Sequence, residues 1–376
     1  MKILQIHNSY KYFGGEDSVV EEEAKLLKLH NHKVYQLIRH NKIELKSFFS
    51  KILLIKDLSY SRKSIKILKN FILKNGKPDV VHIHNIFPLW TYSILSYLSI
   101  LNIPIIYTLH NYRLILENLA TFDKKNHYYG TFKNSLILSK IFFMIANKNK
   151  FFFNKVDKFI THTQFTRNVF LKYGFKKNKI IIKPNFIKIS KNKIIKTNKK
   201  KNAIYASRIS KEKGILTLLR SWKNVDLKLD VLGDGPLMSE NLKKNSNIIF
   251  YGNLKRSKVK KMINKSKFIV VPSEWYESFP MTILEAFNEG TLVLASSIGS
   301  IKSIIKHKVN GILFKAGDDL DLKKKISWIL KNQNLCDKIV HQAKMDFIKN
   351  YTPNKNYQQL VNIYSEAILK KKSKNY

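Results

Sequence analysis

The feature that most constrains the fold of this chain is a regular alternation of short apolar runs with longer amphipathic segments over 376 residues. Continuous apolar runs of about four to eight residues are typical of strands buried on both faces, as in parallel sheets. We predict twelve strands, at residues 2–7, 33–39, 79–85, 104–111, 158–163, 179–183, 203–207, 228–232, 248–251, 268–272, 292–295 and 311–314. Helical patterns fill most of the gaps. The alternation therefore predicts an α/β chain with two doubly wound domains.

A stretch rich in lysine, asparagine and serine separates the two series of strands and predicts the domain boundary. We predict an N-terminal domain at residues 1–186, a linker at 187–201 and a C-terminal domain at 202–352. Residues 353–376 are predicted to contain a helix that could pack back on the N-terminal domain. Ligands of open parallel sheets bind beyond the carboxyl ends of the strands, so residues just after each strand are the candidate site.

The charge balance raises the question of a nucleic-acid partner, because 69 basic and 26 acidic residues give a formal net charge of +43. Both halves of the sequence carry nearly equal shares of this charge, and neither shows the basic arm of many nucleic-acid binders. An excess of Lys, Ile and Asn with little Arg indicates a compositional bias. Attraction to an anionic membrane surface is the other explanation. We therefore expect no nucleic-acid partner.

Compartment signals favour the cytoplasm. The single cysteine, Cys336, cannot form a disulfide within the chain, which fits a reducing environment. Met1 leads directly into a strand pattern without a secretory leader, and no run of about 18 apolar residues is present. We expect a cytoplasmic protein, with peripheral attachment to the inner face of the plasma membrane as an extension of that expectation.

In the first half, three groups lie at or near strand ends. Gly14-Gly15 follows the first strand and either lets the backbone approach a ligand or forms an ordinary loop. His82 and His84 alternate on the third strand and point the same way, but the sequence offers no third ligand at useful spacing, so we predict no metal site. His110 ends the fourth strand, where it is either structural or a hydrogen-bond partner of a hydroxyl or phosphate.

In the second half, two basic residues follow the first strand. Arg208 ends this strand, and Lys213 precedes Gly214 at a predicted helix start. Two cations beside a helix N-terminus favour a diphosphate. The motif Gly233-Asp-Gly235-Pro236 follows the next strand and either lines the site or forms a structural turn before a helix.

Glu277 and Glu285 are two carboxylates on either side of a predicted helix start at Pro280. The helix rise places them on the order of 10 Å apart. The paired carboxylates of retaining glycosidases lie about 5 Å apart. We therefore interpret the pair as two binding contacts to hydroxyls of an elongated ligand, since a carboxylate accepts hydrogen bonds from vicinal hydroxyls.

The segment Glu277-Ser-Phe-Pro-Met-Thr-Ile-Leu-Glu285, preceded by Pro272-Ser-Glu-Trp-Tyr276, resembles the retaining glycosyltransferases of family 4. Further motifs of that family appear in the expected order over nearly the whole chain: Gly14-Gly15, Pro78-Asp-Val-Val-His-Ile-His-Asn85, Thr108-Leu-His-Asn-Tyr-Arg113, Ser207-Arg-Ile-Ser-Lys-Glu-Lys-Gly214 and Gly233-Asp-Gly-Pro236. The resemblance implies the GT-B fold, in which two Rossmann-like domains face each other across a cleft.

The resemblance also implies roles for individual residues. Glu285 would bind the ribose, Glu277 the donor sugar, and Arg208 and Lys213 the diphosphate. His110 would contact the donor sugar near the reacting face. Further donor contacts would come from Gly14, Gly15, Gly235, Phe279, Pro280 and Met281, and acceptor contacts from Asn85, Asn111, Tyr112 and Arg113. No obligatory metal or other cofactor is implied, and Asp319-Leu-Asp321 is predicted to begin a helix rather than to bind a metal.

The expected activity is retaining transfer of a hexosyl-type sugar from a UDP-sugar, with a GDP-sugar as the alternative donor. The expected acceptor is a saccharide or lipid-linked saccharide in envelope polysaccharide, O-antigen or capsule synthesis. Relatives often continue the Leu-His-Asn-Tyr-Arg motif with cysteines, whereas this chain has Leu114-Ile-Leu-Glu-Asn118, which leaves the acceptor open. Residues 131–155 are either a surface for anionic membranes or a buried helix. An epimerase or phosphorylase of the same fold is the alternative, and a basic nucleic-acid-binding protein a remote one.

Overall fold

The computed structural model describes residues 1–9, 14–40, 60–86, 89–112, 114–115, 153–238 and 246–373. The chain divides into two compact units. Unit 1 comprises Met1–His162, Arg167–Lys183 and Tyr357–Tyr376, and unit 2 comprises Thr163–Thr166 and Pro184–Asn356. The terminal helix from Tyr357 onward therefore belongs to unit 1.

Unit 1 is built on a six-stranded parallel sheet with the strand order β2-β1-β3-β4-β5-β6. Its strands are β1 (Lys2–Ser9), β2 (Lys33–His40), β3 (Val80–Asn85), β4 (Ile105–Thr108), β5 (Lys158–Thr161) and β6 (Ile180–Ile182). Its helices are α1 (Gly15–Leu29), α2 (Arg62–Asn75), α3 (Ser93–Ile100), most of α4 (Gln164–Lys172) and most of α11 (Pro353–Lys372).

Helix α11 contributes directly to the core of unit 1. Leu360, Tyr364 and Ala367 are buried against the strand residues Ile3 and Ile106 in one apolar cluster. Burial of each large apolar side chain stabilises the fold by about 1.5–3 kcal/mol. The end of the chain is therefore held to unit 1 by apolar packing.

Unit 2 repeats the architecture with the strand order β12-β11-β10-β7-β8-β9, again all parallel. Its strands are β7 (Ala203–Ala206), β8 (Leu229–Leu232), β9 (Ile248–Gly252), β10 (Phe268–Val271), β11 (Leu292–Ser296) and β12 (Ile312–Phe314). Its helices are α5 (Ile215–Ser221), α6 (Arg256–Lys265), α7 (Met281–Glu289), α8 (Gly299–Ile304), α9 (Asp319–Lys331) and α10 (Gln333–Asn350).

Strand β10 shows why these runs are apolar throughout. Phe268 and Val270 belong to one core cluster of unit 2, and Ile269 and Val271 belong to a second cluster. Successive side chains of a strand point to opposite faces. Both faces of the sheet are therefore buried at β10, as the continuous apolar pattern predicts.

Every one of the twelve predicted strands overlaps an observed strand, and the predicted α/β class with two Rossmann-like sheets is confirmed. The stretch 187–201, predicted as a linker, lies in unit 2. The amide of Ser190 donates to Asn288 Oδ1 at 2.9 Å, and the Thr197 hydroxyl donates to Asp337 Oδ1 at 2.6 Å. Lys200 is buried there and donates to the carbonyl of Gly290 at 2.7 Å.

Among the described helices, none combines the length and apolar character needed to cross a bilayer.

Candidate active site

The loop after β7 carries Arg208, and its backbone is held in place by the loop after β8. The amide of Ile209 donates to the carbonyl of Asp234 at 3.0 Å, and the Tyr205 hydroxyl donates to the carbonyl of Arg208 at 2.7 Å. A Cβ on Gly233, whose φ is 120°, would overlap the carbonyl oxygen of Ser207. The glycine therefore allows the close backbone approach that leaves the Arg208 side chain exposed at the strand end.

Gly235, two residues further along this loop, also allows a close backbone approach. A Cβ at this position would overlap the backbone of Ile209. Residues 236 and 237 form a turn, and residues 239–245, where the predicted helix would continue, lie outside the described residues. Of the two interpretations of the Gly233-Asp-Gly235 motif, the geometry supports the structural turn, and that turn positions the Arg208 loop.

A short 3-10 turn at Lys211–Lys213 is the next element of the site. It ends at Gly214, whose φ of 71° lies in the left-handed region and whose Cβ would overlap the carbonyl oxygen of Pro272. The amide of Glu274 donates to the carbonyl of Glu212 at 3.0 Å. Glycine at 214 therefore brings the loop after β7 against the loop after β10.

This contact pairs two residues that the sequence assigned to different parts of a donor. Lys213 Nζ lies 2.8 Å from Glu277 Oε2, and the hydroxyl of Ser273 donates to Glu277 Oε1. The Lys213 and Glu277 side chains are 27% and 15% exposed, so the ion pair is reachable from solvent. A ligand can therefore separate this ion pair, with a phosphate binding Lys213 and a hydroxyl binding Glu277.

Glu285 lies within α7 and has a partner that the sequence analysis did not identify. Arg256, the first residue of α6, places Nη2 3.2 Å from Glu285 Oε1. Burial raises the pKa of the Glu285 carboxyl above its ordinary value, and the nearby Arg256 guanidinium opposes that rise. The site thus holds a carboxylate whose charge depends on the neighbouring arginine.

The start of α7 limits how residues 279–281 can act. Phe279 is buried in the core of unit 2, and Pro280 caps the helix with its carbonyl accepting from the amide of Ile283 at 3.1 Å. Proline has no amide hydrogen, so of the three predicted donor contacts only Phe279 and Met281 have a backbone N–H to offer a ligand. Pro280 instead fixes the start of α7.

In unit 1, the Gly14-Gly15 turn is fixed by a buried acid. Asp17 Oδ2 accepts from the amide of Gly14 at 2.8 Å, and Asp17 Oδ1 lies 2.9 Å from His7 Nε2. Gly14 has a φ of −127°, and a Cβ there would make only an ordinary contact at 3.7 Å. Among the described residues, neither strain nor packing requires glycine at 14.

The fourth strand leads into His110 and the residues predicted for the acceptor side. His110 Nε2 lies 3.0 Å from His84 Nδ1, and its Nδ1 lies 3.3 Å from His162 Nε2. Asn111 Nδ2 donates to Glu16 Oε2 at 3.4 Å.

Three acceptor-side predictions remain. Asn85 is buried and donates to the carbonyl of Asn8 at 3.0 Å. Tyr112 is buried and stacked on Phe170, with ring centroids 6.0 Å apart. Arg113 lies outside the described residues.

The comparisons with known proteins match this arrangement. The family model described as Glycosyltransferase Family 4 matches residues 13–191, and that described as Glycosyl transferases group 1 matches residues 186–346. The chain belongs to the family-4-like glycosyltransferases. The two matches meet near the boundary between unit 1 and unit 2.

This glycosyltransferase is also similar to individual glycosyltransferases over part or all of its length. An uncharacterized glycosyltransferase of Methanocaldococcus jannaschii is 27% identical over 97% of this chain and 98% of its own length. The lipopolysaccharide 1,2-N-acetylglucosaminetransferase of Salmonella typhimurium is 29% identical over 37% of this chain and 40% of its own length. This chain also matches the structure of Anabaena HepE in complex with UDP, with a TM-score of 0.71 and 17% identity over 97% of this chain and 100% of that one. HepE has been solved with UDP-glucose as well. That likeness shows the GT-B fold.

Within unit 2, the fold brings two of the predicted site residues, Lys213 and Glu277, into contact. Arg208 and Lys213 lie on one loop, and Glu277 and Glu285 lie on or after the loop that this first loop contacts. Asp319 and Asp321 open α9, with Asp318 as the N-cap accepting from the amide of Asp321 at 2.9 Å, as predicted for a helix start. Ser273 and Arg256 are partners that sequence reasoning missed.

His82 and His84 do have a third potential ligand, which the sequence spacing did not reveal: the carboxylate of Glu23. The potential ligand atoms of Glu23, His82 and His84 lie within 4.8 Å of one another. However, Glu23 Oε1 is 2.6 Å from Lys183 Nζ, and the His82 nitrogens each lie 2.7 Å from a hydroxyl, those of Tyr364 and Thr108. A buried ammonium on the carboxylate disfavours a divalent cation, so these residues do not fit a metal.

Proposed function

We propose that this glycosyltransferase transfers a hexosyl-type sugar from a UDP-sugar to a saccharide or lipid-linked saccharide, with retention of anomeric configuration and without an obligatory metal. The observation that carries the proposal is the Lys213–Glu277 pair at 2.8 Å beside the exposed Arg208 loop. Cations suit a diphosphate and carboxylates suit sugar hydroxyls. The complexes of HepE with UDP and UDP-glucose support a uridine donor.

The proposed chemistry requires negative charge to develop on the leaving diphosphate. Arg208 and Lys213 would stabilise that charge more strongly in the transition state than in the ground state, which is the condition for faster turnover. When the donor binds, Lys213 would turn from Glu277 to the phosphate, and Glu277 would then accept hydrogen bonds from the sugar. Glu285 would accept hydrogen bonds from the ribose, with Arg256 favouring its ionised form.

The name of the Salmonella relative, a lipopolysaccharide N-acetylglucosaminetransferase, supports an envelope saccharide as the acceptor. A lipid-linked acceptor would place the protein on the cytoplasmic face of an anionic membrane, which suits the net charge of +43. Flotation with phosphatidylglycerol vesicles, compared with phosphatidylcholine vesicles at the same salt, tests this part. Equal flotation with both vesicles would contradict it.

The donor is tested by thermal unfolding with UDP-, GDP- and ADP-sugars, because a ligand that binds the folded state raises the melting temperature. We expect the largest rise with a UDP-sugar. The selected donor is then incubated with and without candidate acceptors, with EDTA in a parallel series. Release of UDP that depends on the acceptor, with a product of unchanged anomeric configuration, is expected in both series. Conversion of the donor in the absence of any acceptor would instead indicate an epimerase.

A further inference from the structure

Three histidines of unit 1, His84, His110 and His162, form a continuous hydrogen-bonded series that we call the histidine relay. The series has a fixed starting point, because His162 Nδ1 lies 3.0 Å from the carbonyl oxygen of Lys183. A carbonyl can only accept, so His162 Nδ1 carries the proton. Burial lowers the pKa of His162 from 6.5 to about 4, so the ring is neutral near pH 7 and its Nε2 is an acceptor.

The orientation of His162 determines that of the next two rings. His110 Nδ1 lies 3.3 Å from His162 Nε2 and must donate to it. Burial holds the pKa of His110 well below its ordinary value, so His110 Nε2 has no proton and accepts from His84 Nδ1 at 3.0 Å. All three rings are then neutral, with the proton on Nδ1 and with every donor pointing in the same direction.

The far end of the relay is consistent with this arrangement. His84 Nε2 and Glu23 Oε2 are buried 3.7 Å apart, and neither has a hydrogen-bond partner in the described part of the chain. With the His84 proton on Nδ1, His84 Nε2 and Glu23 Oε2 are both acceptors, so no hydrogen bond forms between them. The other Glu23 oxygen binds the ammonium of Lys183 at 2.6 Å, so Lys183 contacts both ends, through its backbone carbonyl and its side chain.

Other ionisable groups face the relay, and each has hydrogen-bond partners outside it. The His82 ring lies 4.1 Å from the His84 ring, and His82 Nδ1 lies 3.8 Å from Glu23 Oε2. His82 lies on the same strand as His84, and Tyr364 and Thr108 each lie 2.7 Å from one of its ring nitrogens. His7 packs edge-on against His84 and is hydrogen-bonded to Asp17 at 2.9 Å.

We infer that His84 and His162 are positioning residues that fix His110 as a neutral Nδ1–H tautomer, so that His110 meets the donor substrate as a hydrogen-bond donor. The inference rests on the proposed function and on the resemblance to family 4, which implies that His110 contacts the donor sugar. Of the bonds that join His110 to the other two rings, the one to His84 is the shorter, at 3.0 Å against 3.3 Å for the one to His162. The Nδ1–H bond to His162 is therefore the one that a substrate oxygen, from a hydroxyl or a phosphate, exchanges.

The tautomer is measured directly, without any activity, by NMR of protein labelled with 15N in its 11 histidines. Substitutions of single histidines assign the ring signals. We expect His84, His110 and His162 in the neutral Nδ1–H form at pH 7. A neutral Nε2–H form or a protonated ring at His110 would overturn the inference, whatever the enzyme transfers.

Matched variants then test the consequence for transfer. His84→Leu removes the donor to His110, whereas His84→Asn keeps an N–H at the position of Nδ1. Misplacement of a group in the site costs on the order of 10- to 100-fold in rate, so we expect such a loss of kcat for His84→Leu and recovery of most of it for His84→Asn. His82→Asn is the control, because His82 is equally buried two residues away but outside the relay.

The control should lower the melting temperature while leaving kcat and the His110 tautomer unchanged. If His82→Asn and His84→Leu lose kcat equally, or if His84→Asn recovers nothing, a general loss of packing explains the data and the inference is wrong. Absence of transfer by the wild-type protein would count against the proposed function alone, since the NMR result stands independently.

Discussion

The two units hold their charged groups in opposite ways. In unit 2, Lys213 pairs with Glu277 and Arg256 with Glu285, and in each pair at least one side chain is a quarter or more exposed. In unit 1, the Lys183 and Glu23 side chains are only 1% and 2% exposed. Exposed pairs contribute about 0–1 kcal/mol, so a ligand can separate them, whereas removing one partner of a buried pair leaves an uncompensated charge. The pairs of unit 2 suit exchange with a substrate, and the pair of unit 1 suits permanent support.

The largest effect should come from breaking the buried pair of unit 1. Lys183→Met leaves Glu23 charged and buried, and we expect a loss of about 3–5 kcal/mol in the free energy of unfolding. The double variant Glu23→Met/Lys183→Met removes both charges and should recover most of that loss. Urea unfolding followed by hydrogen exchange in peptides of unit 1 gives the measurement. A single variant within about 1 kcal/mol of wild type would contradict the contrast between the units.

The pair of unit 2 should respond in the opposite manner, with activity lost and stability kept. Lys213→Ala removes a cation proposed to stabilise the leaving diphosphate, and a loss on the order of 10²- to 10³-fold in kcat is expected. Glu277→Ala should lose transfer as well. Lys211→Ala is the matched control, since Lys211 is an exposed lysine on the same 3-10 turn. Normal turnover by both Lys213→Ala and Glu277→Ala would show that the site is elsewhere.

The same contrast explains what could be predicted from the sequence. The strands were predictable because most of them are short, largely apolar runs that recur at regular intervals along the chain. Arg208, Lys213 and Glu277 lie in the segments that follow β7 and β10, so the rule that ligands bind at carboxyl ends identifies them. The same rule, applied to β5, would also have identified His162, which comes directly after Thr161.

The contacts that Glu23, Lys183 and Arg256 make could not have been found in this way. Glu23 lies in the middle of α1, and Lys183 follows β6. They meet only because the fold brings positions 160 residues apart to 2.6 Å. Arg256 is one of 69 basic residues and sits at the start of a helix, where a cation is not favoured by the helix dipole. Its contact with Glu285 follows from the packing of α6 against α7, which no local pattern encodes.

A pH titration should separate the units further. The pKa of His162 is lowered from 6.5 to about 4, so the unfolded chain takes up a proton first as the pH falls. The free energy of unfolding is therefore highest above pH 6.5, where His162 is neutral in both states, and it decreases as the pH falls towards about 4. The total decrease due to His162 is about 3 kcal/mol. His84 and His110, whose pKa values burial also lowers, act in the same direction.

Hydrogen exchange at pH 7 and pH 5, corrected for intrinsic rates, measures this difference peptide by peptide. Protection should fall more in unit 1 than in unit 2, and His162→Gln should reduce that fall. An equal loss of protection in both units would mean that the buried histidines do not control the acid response.

The smallest effect should come from Arg256→Ala. Its ion pair with Glu285 is 48% exposed on the arginine side, so the free energy of unfolding should change by less than about 1 kcal/mol. Without the guanidinium, the pKa of the Glu285 carboxyl, already raised by burial, should rise further. A partly protonated carboxyl accepts fewer hydrogen bonds from ribose hydroxyls, so the KM for the donor should increase with little change in kcat, most strongly at acidic pH.

Arg220→Ala provides the control for this last prediction, because Arg220 forms a comparable pair with Asp319 at 3.4 Å and is 50% exposed. Both variants remove one arginine from unit 2 and one exposed ion pair, so general effects of charge are matched. A rise in donor KM confined to Arg256→Ala and growing towards low pH would place Glu285 on the nucleotide. An equal rise in donor KM in both variants would instead be explained by weaker long-range attraction of the donor to the basic surface. The proposed contact between Glu285 and the ribose would then be wrong.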